Sequence, residues 1–150
     1  MYKKVLGCLL GAAAGDAMGA ATETRNRRQI EKLFGGYVTE FLTPPADTFA
    51  RGSRAGQVTD DFSIAYVTLK EIIKSGKVDE EIATSALLKW ASVPEYFERF
   101  AGPTTRARVL ELKGEKKAGE EFVPVNDNNK ATNGAAMKAA PIALLAKGDI

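Results

Sequence analysis

Apolar and small residues run almost unbroken from Val5 to Ala21, with glycine at Gly7, Gly11, Gly15 and Gly19. A spacing of four returns each glycine to nearly the same side of a helix, so the run predicts a helix over residues 4–21 with a flat glycine ridge. Each glycine weakens such a helix by about 0.8–1 kcal/mol relative to alanine, and the ridge makes sense where another backbone or a ligand comes close. Asp16 interrupts the run, and no stop-transfer pattern follows. An interior helix is therefore expected rather than a signal peptide or a membrane span.

A second stripe, Ile64, Ala65, Val67, Leu69, Ile72 and Ile73, has helical spacing, opens at Thr59-Asp60-Asp61 and stops at Gly76. A third helix follows Asp79-Glu80-Glu81 with Ile82, Leu87, Leu88 and Trp90 inward, and Pro94 closes it. The pattern is looser from Arg25 to Gly56. It predicts a short polar helix around Gln29 to Leu33, a strand or extended run from Tyr37 to Leu42, and a long loop through Pro44-Pro45 of the kind that often carries function. Beyond these, an amphipathic helix is expected from Thr104 to Leu112, then a charged stretch from Lys113 to Asn129. A helix opened by Asn133 runs through Met137 to Ala140, and a further apolar turn begins at Pro141. Alternating β-branched residues are confined to short runs, and no repeat or linker appears. The reading is one all-α domain over residues 1–150.

Composition narrows the chemistry. With 45% hydrophobic and 27% charged positions in 150 residues, the chain can bury a core, and a net charge of +2 argues against a nucleic-acid or acidic membrane partner. The single cysteine, Cys8, excludes an intrachain disulfide framework and a Cys-rich zinc site. It fits a reducing cytoplasm and reads as core filler. There is no histidine. Histidine-based nucleophilic systems and His-ligated metals are thereby excluded, so acid and base work falls to Asp, Glu, Lys or Tyr. Any metal would be a hard, oxygen-bound cation.

Three segments stand out. At Thr59-Asp60-Asp61 the hydroxyl can cap a helix and both acids complement its dipole; the same three side chains also offer oxygen ligands to a Mg²⁺-like ion. Asp16, with Glu23 downstream, is an acid in an apolar helix. It either sits at a helix end bonded to a backbone N–H or an Arg, or it answers a cation, since burying it unpaired costs several kcal/mol. Asn133-Gly134 fits a helix start first, and secondly a place where a phosphate meets a helix N-terminus.

Taken in order, Gly15-Asp16-Ala17-Met18-Gly19 with Glu23, then Val58-Thr59-Asp60-Asp61, then Asn133-Gly134-Ala135-Ala136-Met137 before Pro141 resemble the ADP-ribosylglycohydrolase (dinitrogenase reductase-activating glycohydrolase-like) family. Trp90 and Gly102-Pro103-Thr104-Thr105 resemble its middle section. The resemblance implies an all-α, orthogonal multi-helix fold with a cleft for two Mg²⁺ or Mn²⁺ ions. It also implies hydrolysis of the glycosidic bond at C1″ of an ADP-ribosyl group on a protein or small molecule. On that reading Thr59, Asp60 and Asp61 are metal ligands, Glu23 and Asp16 are acid/base candidates, and Asn133 and Gly134 line the ligand site. Two departures bear on specificity: Phe62 stands where the family has Thr or Ser, and Lys138 where it has Arg. The family's second acidic motif, Asp-x-Asp-Ser/Thr, is absent from the 150 residues. The expectation is an N-terminal fragment, a truncated gene product or one of two complementing chains, with a non-catalytic ADP-ribose-binding module as the alternative function.

Overall fold

The computed structural model describes residues 2–115 and 134–145. Every regular element among them is a helix: α1 (Tyr2–Gly19), α2 (Arg27–Phe34), α3 (Asp60–Ser75), α4 (Glu80–Ala91), α5 (Pro94–Phe100), α6 (Pro103–Leu112) and α7 (Ala136–Leu145). None of the described helices is long and apolar enough to cross a membrane. The chain divides into two compact units, one ending at Phe62 and one beginning at Ser63, and α3 runs through the division.

In the first unit, α1 forms over almost the predicted range, but it is not the interior helix that its composition suggests. Ala17 is its one buried residue among those described, Leu10 is 62% exposed, and Cys8 is exposed rather than core filler. Nothing lies within 4 Å of where a side chain would start at Gly7, Gly11, Gly15 or Gly19. The physical reason lies in what this unit offers as cover. Besides α1 it has only the first turn of α3 and the eight-residue α2, which has no buried residue of its own. The α2 helix is held by local chemistry. Asn26 Oδ1 accepts from the Gln29 N–H at 3.0 Å while Gln29 Oε1 accepts from the Asn26 N–H at 2.8 Å, a reciprocal cap. Gly35, at φ 75°, ends the helix in the left-handed conformation that suits glycine.

Of the two expectations for Tyr37 to Leu42, a strand or an extended run, the strand does not form. No described segment pairs with it, and an extended run without a ladder partner gains nothing from β geometry. The following loop is well built from successive turns: Thr48 N–H to Pro45 O, Arg51 N–H to Thr48 O and Ser53 N–H to Ala50 O. Thr48, Ala50 and Ser53 are buried, and the covered Arg25 side chain ties the loop to the end of α1 through Asp47 and the carbonyls of Ala21 and Glu23.

In the second unit the core is Ile64, Trp90, Ala91, Ala101 and Val109, with Val67, Leu87, Leu88 and Met137 packed against it. Trp90 is fully buried, stacks on Tyr96 at 6.3 Å between ring centres and meets Phe97 edge-on at 6.2 Å. Gly76, at φ 69°, ends α3 as expected. Asp79 caps α4 by accepting from the Ile82 N–H at 2.9 Å. Pro94 does close α4, but it also opens α5 as a first-turn proline, where its missing N–H costs no helical bond. Ile73, expected inward, is 67% exposed. The α7 helix begins at Ala136 and continues through Pro141 instead of breaking there. Asn133 and the stretch 116–129 lie outside the described residues.

Candidate metal centre

The candidate site grows from two chain ends in the first unit, the close of α1 and the opening of α3. Asp16 stands in the last turn of α1. The chain then turns through Thr22, whose hydroxyl donates to Gly19 O at 3.1 Å, and reaches Thr24 at φ 64°. A β-branched residue rarely adopts this left-handed conformation, and Glu23 stands immediately before it.

Thr59 precedes the first turn of α3 and Asp60 and Asp61 occupy it. Asp16 reaches this turn across 43 residues of sequence. Its Oδ2 accepts from the Thr59 N–H at 2.7 Å and from the Phe62 N–H at 3.2 Å, and its Oδ1 accepts from the Thr59 hydroxyl at 2.6 Å. The Thr59 Oγ in turn accepts from the Asp61 N–H at 3.3 Å. Backbone N–H groups that a helix start leaves unsatisfied are thus answered by Asp16 and Thr59 together.

The electrostatics follow from four carboxyl groups in one neighbourhood. Burial pushes Asp60 up to about 6 from its ordinary 3.8, partly offset by its own backbone N–H, and Asp61, Asp16 and Glu23 each push it further upward. Burial also raises Glu23, with Asp61 and then Asp16 adding to the effect. Such mutual repulsion is what a divalent cation relieves, and the donors are hard oxygens of the kind Mg²⁺ and Mn²⁺ take. The donor chemistry therefore fits a cation. The enclosure is partial, because no three His, Cys, Asp or Glu side chains among the described residues are arranged to hold an ion by themselves.

The structure thus brings together Asp16, Glu23, Thr59, Asp60 and Asp61, all within the first unit. Asn133 lies outside the described residues, and Gly134 stands in the turn before α7 in the second unit. Lys138 lines a cavity of about 320 Å³ in that unit with Arg108, Asp79 and apolar residues of α3 and α4. The engagement of the Phe62 backbone by Asp16 escaped the sequence reading, which treated the two segments separately. Its only signal was an acid in an apolar helix requiring a partner.

The profile of the ADP-ribosylglycohydrolase family matches residues 1–150, the whole chain. The chain belongs to the ADP-ribosylglycohydrolase family. The Escherichia coli K12 protein YegU is 32% identical over 147 residues, covering 95% of this chain and 42% of its own length. Two further ADP-ribosylglycohydrolase relatives carry named activities. The ADP-ribosylarginine hydrolase Tri1 of Pseudomonas putida is 28% identical over 144 residues, covering 92% of this chain and 35% of Tri1. The ADP-ribosyl-(dinitrogen reductase) glycohydrolase of Rhodospirillum rubrum is 26% identical over 148 residues, covering 99% and 46%. The chain spans less than half the length of these curated relatives. Its helical architecture agrees with the all-α fold the motifs imply.

Proposed function

We propose that the protein acts in divalent-metal-dependent hydrolysis of the glycosidic bond at C1″ of an ADP-ribosyl group, with an ADP-ribosylated protein or an ADP-ribose-containing small molecule as substrate. The observation that carries this reading is the gathering of Asp60, Asp61, Asp16 and Glu23 around Thr59, in a chain of this family. The names of the Pseudomonas and Rhodospirillum relatives, both acting on ADP-ribosyl groups, support the substrate class.

On this reading Thr59, Asp60 and Asp61 hold Mg²⁺ or Mn²⁺, in a two-ion centre whose other donors come from the region beyond the match in the relatives, carried in the same polypeptide or on a complementing chain. The bound ions supply positive charge that orients ribose oxygens and a water. Glu23 handles the proton: its raised affinity suits a carboxylate that accepts one from the water whose oxygen bonds to C1″ and returns it to the departing side-chain atom as the glycosidic bond breaks. The family resemblance gives Asn133 and Gly134 a part in nucleotide binding, and a cytoplasmic setting completes the reading. The test is Mn²⁺-dependent release of ADP-ribose from an ADP-ribosylarginine protein by this chain together with the polypeptide that completes it. Undiminished release by Asp60→Asn/Asp61→Asn would overturn the assignment.

A non-catalytic ADP-ribose reader is the second reading, favoured by the partial enclosure of the cation site and by Phe62 at its edge. Calorimetry separates the two: tight ADP-ribose binding indifferent to chelator, with no product formed, would select the reader.

A further inference from the structure

Asp16 engages the Thr59–Phe62 turn with both carboxylate oxygens and three donors. An ionised carboxylate is an acceptor only, and the three groups aimed at Asp16 are all donors. Asp16 thus meets the turn as an acceptor at both of its oxygens. A second consequence concerns Thr59. A hydroxyl has one proton and two lone pairs. By donating its hydrogen bond to Asp16 Oδ1 at 2.6 Å, the Thr59 Oγ keeps its lone pairs for other partners, and one of them already accepts from the Asp61 N–H. A hydroxyl that serves a cation must present a lone pair to it, so the group that takes the proton decides whether the oxygen can serve at all.

We propose that Asp16 is a positioning residue: it accepts the hydrogen bond of the Thr59 hydroxyl and pins the Thr59 and Phe62 amides, thereby fixing the first turn of α3 and leaving Thr59 Oγ turned as an acceptor. Asp16 is then the counterpart of the outer carboxylates that orient ligands in metal sites. The identification of Thr59, Asp60 and Asp61 as the ligands rests on the function proposed above. The clamp itself does not.

The experiment pairs two readouts: amide hydrogen exchange at Thr59 and Phe62 of this chain without metal, and Mn²⁺ titration of the chain together with the polypeptide that completes it, followed by electron paramagnetic resonance. Asp16→Asn keeps the shape but turns an amide N–H₂ toward N–H and O–H donors. It is expected to speed exchange at both amides about tenfold and to raise the Mn²⁺ concentration for half-saturation by about the same factor. Asp16→Glu, which keeps the ionised acceptor one methylene farther away, should recover part of both effects and serves if the asparagine variant does not fold. Unchanged exchange and unchanged Mn²⁺ binding in these variants would overturn the proposal. Asp60→Asn marks the other failure: it should weaken Mn²⁺ uptake while both amides stay protected. If the chain together with the polypeptide that completes it takes up no Mn²⁺, the reading of the ligands falls, and the exchange arm still decides whether Asp16 holds the turn.

Discussion

The indole N–H of Trp90 donates to the hydroxyl of Ser63 at 2.8 Å in the core of the second unit, joining α4 to the first full turn of α3. Both residues are shut off from water. Ser63→Ala leaves the indole N–H without an acceptor where none can be supplied by solvent, and is expected to cost about 1–3 kcal/mol. Trp90→Phe in the Ser63→Ala background should cost less than in the parent, because the orphaned donor is gone. A double-mutant cycle by urea unfolding measures the coupling, and additive losses would mean the bond contributes nothing.

A pH dependence follows from Asp60. Burial first, and then the charges of Asp61, Asp16 and Glu23, raise it from 3.8 to about 6 in the folded chain. Between these values the folded state holds a proton that the unfolded state has released, so stability from this group is complete below the lower value and is lost as pH rises through about 6. Glu23 is raised as well and acts in the same direction. Without divalent ions, Asp60→Asn should be more stable than the parent at neutral pH by about 1–2 kcal/mol, a figure held below the full linkage because the group is partly in water. The advantage should vanish towards about pH 4. Unfolding curves in chelator across this range provide the check, and a pH-independent difference would contradict the shift.

Divalent metal should reverse that penalty. At a hundredfold excess over Kd, Mn²⁺ is expected to stabilise the parent by about 2.7 kcal/mol, visible as a rise in Tm that chelator removes. Asp60→Asn/Asp61→Asn should show no rise. Equal stabilisation of parent and double variant would place the ion elsewhere.

Arg106 closes the end of α5. Its guanidinium donates to the carbonyls of Ala101 at 2.8 Å, Phe97 at 3.0 Å and Glu98 at 2.6 Å, and lies 4.9 Å from the centre of the Phe97 ring. Lysine has the charge without the planar fork, so Arg106→Lys is expected to cost about 1–2 kcal/mol in thermal or urea unfolding. A neutral substitution would mean that those carbonyls are equally well served by water.

What the sequence made legible was chiefly local. The limits of α3 and the start of α4 were visible because Thr59, Gly76 and Asp79 act on groups within three or four residues of themselves. The short α5 was hidden because Pro94 signals an ending and a beginning alike. Tyr37 to Leu42 read as extended, but strand formation depends on a distant partner that the pattern cannot supply. The same limit applies to the candidate site. Each acid could be picked out by its setting, whereas the bond from Asp16 to Thr59 spans 43 residues and is a property of the folded chain. Burial was misjudged along α1 because composition reports what a helix can bury, and not what is there to cover it.

That exposure gives Cys8 a practical value. It is the sole thiol in the sequence and it faces solvent on α1. A maleimide fluorophore should therefore attach stoichiometrically under native conditions, at one address about 12 Å along the helix axis from Asp16. Quenching of such a dye by paramagnetic Mn²⁺ would report ion arrival by distance, with no substrate and no turnover required.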